Sequence, residues 1–172
     1  EPVGVTRLSG ANRFATAAKV SELFPTGKPL YITVGQDYPD ALAAAARAGS
    51  RGGPVLLTKT NTLPKQTRQA IQRLKPSSVT IVGGKGAISS NVFYEVEKVT
   101  TAPVHRIGGA NRYETARHVA GQYPTGVDVV YVATGTDYPD ALAGAARAGY
   151  NNGPVLLVQP GNVPAATRRA MQ

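Results

Sequence analysis

The chain has 172 residues and not one cysteine. That absence removes disulfides, thiolate catalysis and every Cys-ligated zinc or iron–sulfur site, and leaves stability to the apolar core. No run approaches the ~18 consecutive apolar residues that a membrane-spanning helix requires. The opening Glu1-Pro2-Val3-Gly4 does not read as a basic stretch followed by an apolar one, which leaves the compartment open. Aromatic residues make up only 6% of the chain, too few to line a base-stacking surface. Acidic residues are outnumbered 19 to 10, giving a formal net charge of +9. That imbalance favours a polyanionic partner, whether nucleic acid, anionic lipid or anionic polysaccharide. Twelve of the 19 basic residues are arginine, the side chain that forks onto phosphate and carboxylate. A basic, soluble surface without a dedicated partner meets the same count.

What the chain does have is repetition. Arg7-Leu-Ser-Gly-Ala-Asn-Arg-Phe-Ala-Thr-Ala17 returns as Arg106-Ile-Gly-Gly-Ala-Asn-Arg-Tyr-Glu-Thr-Ala116. Gly35-Gln-Asp-Tyr-Pro-Asp-Ala-Leu-Ala43 returns as Gly135-Thr-Asp-Tyr-Pro-Asp-Ala-Leu-Ala143, and Pro54-Val-Leu-Leu57 as Pro154-Val-Leu-Leu157. Roughly half of the aligned positions are identical, which marks a duplication. One residue is inserted in the second copy near 127–130, and that copy reaches Gln172, the counterpart of Gln72. The division is therefore a first repeat over residues 1–103 and a second, C-terminally incomplete repeat over 104–172.

Within a unit, short apolar runs alternate with helical patterns, the signature of βα units feeding a small, mainly parallel sheet. Residues 31–34, 55–58 and 79–82 read as buried strands, with 5–8 or 104–107 as a further strand beside them. A first helix is expected over 12–24, stopped by Pro25, with Phe14, Ala17, Ala18, Ser21 and Phe24 on one face. A second starts at Asp37-Tyr-Pro-Asp40, with Asp37 as N-cap and Pro39 in the first turn, and closes at Gly49. Its body is mostly alanine, which places it inside the molecule. A third helix follows Pro64, and a fourth starts near Ser90.

Several constellations invite a chemical reading. The pairs Asp37/Asp40 and Asp137/Asp140 suit acid–base work or a hard cation, but helix capping explains them better. The alternative keeps Tyr38, Asp40, Tyr138 and Asp140 as ligand-contacting residues at the C-terminal edge of a strand, where open α/β sheets place their sites. The turns 8–13 and 107–112 run from strand to helix past glycine and end on arginine, a plausible anion cradle. They lack the full G-x-G-x-x-G and the P-loop G-K-[ST], and a tight turn capped by Asn12 or Asn111 is the preferred reading. Gly83-Gly-Lys-Gly86 is similarly open. His105 and His118 fall opposite Thr6 and Lys19 in the other copy, so no shared catalytic or metal role attaches to histidine, and each reads as a surface side chain. No G-x-S-x-G, H-E-x-x-H or cysteine nucleophile is present. The residues call for no metal and no cofactor.

The ordered set of Arg7-Leu-Ser-Gly-Ala-Asn-Arg-Phe, Gly35-x-Asp-Tyr-Pro-Asp-Ala-Leu, Pro54-Val-Leu-Leu and Val79-Thr-Ile-Val-Gly-Gly84 resembles the cell wall-binding repeat 2 family. The motifs recur in order and cover nearly the whole chain. The resemblance implies a tandem module, usually in three copies, on surface proteins of Gram-positive bacteria, with Rossmann-like units packed about a pseudo-threefold axis. It implies anchoring outside the cell by non-covalent binding to anionic secondary wall polymers. Val55 and Val155 stand where isoleucine is common in the family, and a third copy is missing from this sequence.

Three functions follow for comparison. The first is a non-catalytic anchor to an anionic wall polysaccharide or teichoic-acid-like polymer, located at the cell wall or surface. Its candidate contacts are Arg7, Arg13 and Arg47 with their copies Arg106, Arg112 and Arg147, together with Tyr38, Tyr138, Asp40 and Asp140. Repetition then supplies avidity toward a long polymer. Arg47 and Arg147 are equally open to a buried structural role. The second is a nucleotide or sugar-phosphate enzyme on a Rossmann-like fold. The third, nucleic-acid binding by charge alone, lacks both motif and aromatics and is not expected. The second unit has nothing to match residues 79–82, so its sheet should keep an open edge, completed by a further repeat or a neighbouring chain.

Overall fold

Each short apolar run ends on a turn and leads into a helix, and the chain folds by that rule. The computed structural model describes residues 4–137 and 139–172, with the backbone alone at 139 and 140. The first repeat contributes α1 (Arg13–Val20) with a 3₁₀ turn behind it (Ser21–Leu23), β1 (Leu30–Val34), α2 (Pro39–Ser50), β2 (Val55–Thr58), α3 (Lys65–Leu74), β3 (Val79–Val82) and α4 (Ser90–Glu97). Then come β4 (Val104–Ile107), α5 (Arg112–Ala120), β5 (Tyr131–Thr134), α6 (Pro139–Tyr150), β6 (Val155–Val158) and α7 (Ala165–Ala170).

The strands form two parallel sheets, one in the order β2-β1-β3-β4 and one of β5 with β6. Equivalent strands keep equivalent registers: Tyr31 lies beside Val55 as Tyr131 lies beside Val155. Strand β4, the opening strand of the second copy, is thus the fourth strand of the first copy's sheet, with Val79 beside Val104 and Val82 beside Ile107. Residues 5–8, the alternative in the sequence, join no ladder among the described residues, and Val5 is 95% exposed. In the second copy the same segment pairs with the β3 strand that precedes it.

Side chains alternate across the first sheet because successive strand residues point to opposite faces. Leu30, Ile32 and Val34 enter a core with Leu56, Ile81, Ile71, Leu74, Val92 and Val96, roofed by α3 and α4. Tyr31 points the other way, into a second cluster built from both copies: Ala43, Ala44 and Ala46 of α2 with Ala116, Val119, Ala145, Ala148 and Leu157. Each fully buried Leu or Ile here contributes on the order of 1.5–3 kcal/mol. The alanine content of α2 is what lets it sit between a sheet and two further helices. Where α2 meets α6, Gly49 and Gly149 face each other so closely that a Cβ on either would come within 3.2 Å of the other's Cα.

Two local expectations are corrected. Helix α1 stops at Val20 and tightens into the 3₁₀ turn, so the helical path to Phe24 is shorter than its pattern suggests. Asp37 does not cap α2. The cap position is Tyr38, and Asp37 Oδ1 instead accepts a hydrogen bond at 2.9 Å from the Tyr38 backbone N–H. Pro39 is the first helical residue, and the helix runs one residue past Gly49 to Ser50. Asn12 and Asn111 do cap α1 and α5, accepting from Ala15 N and from Tyr113 and Glu114 N.

Candidate functional site

Sheet order reverses at β1, which has β2 on one side and β3 on the other. In open α/β sheets such a reversal opens a crevice beyond the carboxyl ends of the strands. A cavity of about 390 Å³ lies there, in the range of small-ligand sites, lined by Val34, Asp37, Asp40, Gly84, Gly109 and Arg112 among others. The start of α2 forms one wall and the start of α5 another, so the cavity belongs to both repeats.

The repeated motifs build this junction head to tail. Gly109 N donates to Thr115 Oγ1 at 3.1 Å, as Gly10 N does to Thr16 Oγ1 in the first copy. That leaves the Thr115 hydroxyl proton for the Asp40 carboxylate of the other repeat. Burial lifts the Asp40 carboxyl above the ordinary aspartate range; the Thr115 hydrogen bond opposes the shift, nearby Asp37 adds to it and Arg112 subtracts. Oδ2 of Asp40 lies so near the backbone of Gly83 that a Cβ there would stand 3.0 Å from it. Beside it, Arg112 Nη2 meets Asp37 Oδ2 at 3.4 Å, and the Tyr38 hydroxyl donates to the Thr136 carbonyl at 2.8 Å. The ion pair is largely solvated and contributes at most ~1 kcal/mol.

The candidate arginines separate by environment. Arg13 and Arg112 play one part twice, donating to the carbonyls of Gly35 and Gly135 and so bracing a helix start against the end of β1 in one copy and of β5 in the other. Arg106 donates to the carbonyls of Gly83 at 2.9 Å and Ser89 at 3.4 Å and lies over the ring of Phe93, and burial lowers its pKa. Arg47 lies over the ring of Tyr123, at the far end of α5. Arg7, Arg13 and Arg147 are exposed, and Arg147 stacks on Tyr150. Tyr138 and the side chain of Asp140 lie outside the described residues.

Sequence reasoning missed two features. His118 is not a bare surface side chain: Arg117 donates to its Nε2 at 2.6 Å, so Nδ1 carries the proton offered to the Gly108 carbonyl at 3.0 Å. Glu114 joins Arg117 at 2.8 Å and Arg169 at 2.6 Å, tying α5 to α7. Both features belong to the second copy alone, since Glu114, His118 and Arg169 replace Ala15, Lys19 and Gln69, and a repeat alignment draws attention away from such positions. Among the described residues, no three His, Asp or Glu side chains converge as metal ligands, and no helix is long and apolar enough to cross a membrane.

Comparison with known proteins places this geometry. The family model for cell wall binding domain 2 (CWB2) matches residues 7–93 and 106–171. The chain is 32% identical to the N-acetylmuramoyl-L-alanine amidase LytC of Bacillus subtilis over 97% of its own length and 33% of the amidase's. It is 35% identical to the amidase enhancer of the same organism over 94% of its length and 23% of that protein's. The chain thus spans a third or less of these relatives. Among solved structures, Cwp6 from Clostridium difficile superposes with a TM-score of 0.83 at 30% identity, covering 94% of this chain and 26% of Cwp6. Cwp8 from the same organism gives 0.83 at 26% identity, over 96% of this chain and 28% of Cwp8. Two family matches in tandem, on two α/β units that share a cleft, make the chain a member of the cell wall binding domain 2 family and a tandem cell-wall-binding module.

Proposed function

We propose that the two repeats, residues 1–103 and 104–172, act together as a non-catalytic anchor that holds a surface protein outside the cell by gripping an anionic secondary wall polymer, a polysaccharide or teichoic-acid-like chain. The match of the CWB2 model to both repeats carries this reading. The +9 charge supports the anionic character of the partner. Arg7, Arg13 and Arg147 are the exposed members of the repeated arginine set and serve as the polymer contacts. Arg47, Arg106 and Arg112 are partly buried and shape the surface that presents them. Each contact is weak alone, and a polymer with regularly spaced charges engages several at once.

A further repeat, or a neighbouring chain, covers the second unit. Leu142 is 59% exposed where its counterpart Leu42 is 3% exposed, and Val132 is 49% exposed where Ile32 is buried completely. Cosedimentation with purified Gram-positive walls, before and after extraction of the secondary polymer, tests the anchor. Retention should fall on extraction and with rising salt. Equal retention by both wall preparations overturns the reading.

A further inference from the structure

The inter-repeat cavity has a chemistry that does not suit the charge of an anionic polymer. Its charged walls are two carboxylates, Asp37 and Asp40, and one guanidinium, Arg112. Arg112 is already engaged by the Gly135 carbonyl and by Asp37. Asp40 is held by the Thr115 hydroxyl, and no salt bridge reaches it among the described residues. A protein of charge +9 therefore carries a cleft of negative formal charge at the junction of its repeats. That formal charge favours a neutral ligand over phosphate or carboxylate.

Ionised carboxylates in a cleft are acceptors only, with room for several donors each, so a ligand that fits them brings hydroxyl or amide hydrogens. Gln36 adds a neutral amide to the same lining, and Val34 and Ala87 add apolar surface. Hydroxyl-accepting carboxylates beside a small apolar patch match a sugar ring, which has hydroxyls on its rim and C–H groups on its faces. The volume of about 390 Å³ accommodates a unit of that size.

We propose that this cleft binds one uncharged, hydroxyl-rich sugar unit, read by the carboxylates of Asp37 and Asp40, while the anionic groups of the polymer pair with the exposed arginines. The assignment of that sugar to a wall polymer rests on the anchoring reading; the site itself does not. The polymer is thus recognised twice, by charge on the surface and by hydroxyl pattern in the cleft.

Saturation-transfer NMR on the full chain tests the site, with glucose, galactose, rhamnose, N-acetylglucosamine and N-acetylmannosamine as probes. At least one of these should receive saturation, undisturbed by inorganic phosphate or calcium. Ala110→Trp, at an exposed position on the cavity rim, should weaken binding by about tenfold or more by filling the mouth of the cleft with its indole. Asp37→Asn, on a half-exposed side chain, should weaken it in the same direction and stands in if the tryptophan variant does not fold. Silence from all five sugars, displacement by phosphate or calcium, or full binding by the folded variants overturns the proposal. Retention on walls without any sugar signal overturns the cleft assignment alone. A sugar signal without retention on walls keeps the cleft and removes the anchor.

Discussion

Arg47 of the first repeat holds its guanidinium carbon 4.5 Å from the ring centroid of Tyr123 in the second, whereas Arg147, its counterpart, stacks 4.9 Å from its own neighbour Tyr150. Tyr123 is 7% exposed and Tyr150 81%. The same motif residue therefore serves as a clamp between repeats in one copy and as a surface side chain in the other. A desolvated cation–π contact contributes ~2 kcal/mol and an exposed one ~0.5–1.

The first prediction concerns that clamp. A double-mutant cycle of Arg47→Ala with Tyr123→Ala, read by urea unfolding, should give a coupling of ~1–2 kcal/mol. The cycle of Arg147→Ala with Tyr150→Ala should give less than ~1 kcal/mol. Equal couplings would remove the inter-repeat role of Arg47.

The second concerns the crossing of α2 and α6. Gly149→Val introduces a branched side chain where even a Cβ reaches 3.2 Å from the Gly49 Cα. It should cost ~1–3 kcal/mol by forcing the helices apart, whereas valine at Gly144, where a Cβ meets nothing within 4 Å, should be neutral or stabilise by ~0.3 kcal/mol, because valine is the better helix former. Chemical denaturation of the two variants decides it.

The third follows from Asp40. Its carboxyl titrates above its ordinary value of 3.8 in the folded protein because it is buried. The folded state then binds that proton more tightly than the unfolded state. The favourable contribution is complete below the unfolded value and is lost as the pH rises through the folded one. Asp40→Asn keeps an acceptor for Thr115 and removes the charge. It should melt above the wild type at pH 7, with the difference shrinking as the pH falls toward 3.8. A difference independent of pH would mean that the carboxylate is not desolvated.

The fourth concerns the two sheets. Amide exchange should be faster in β5 and β6, which form a two-stranded sheet, than in β1 and β3, which lie inside a four-stranded one. Extending the chain by about thirty residues, the length the first copy uses after Gln72, should raise the melting temperature and slow that exchange. No change in either would show that the shorter sheet is complete as it stands.

The strands were legible because a strand buried on both faces reads as one continuous apolar run. Residues 31–34, 55–58 and 79–82 match β1, β2 and β3 to within one residue. The alanines of α2 announced an internal helix, and the asparagine caps were visible from their place before each helix. What could not be read was the partner of each repeated polar residue. Asp37, Asp40 and Arg47 sit on a helix start or body, where local rules offer capping or solvent as explanations. Their actual neighbours Arg112, Thr115 and Tyr123 lie more than seventy residues away, a separation that leaves no periodic trace. Helix α1 shows the same limit: it has no buried residue, whereas its copy α5 buries Thr115, Ala116 and Val119, since α2 packs chiefly on the latter.

Because the cleft takes its walls from two successive repeats, its number is set by junctions and not by repeats. Copies joined in an open row form one cleft fewer than there are copies, while copies joined into a ring form as many clefts as copies. Going from two repeats in a row to three in a ring would triple the sugar-reading positions while adding only half again as much protein. Ring closure, more than repeat count, would then govern how many points of a wall polymer one module holds at once.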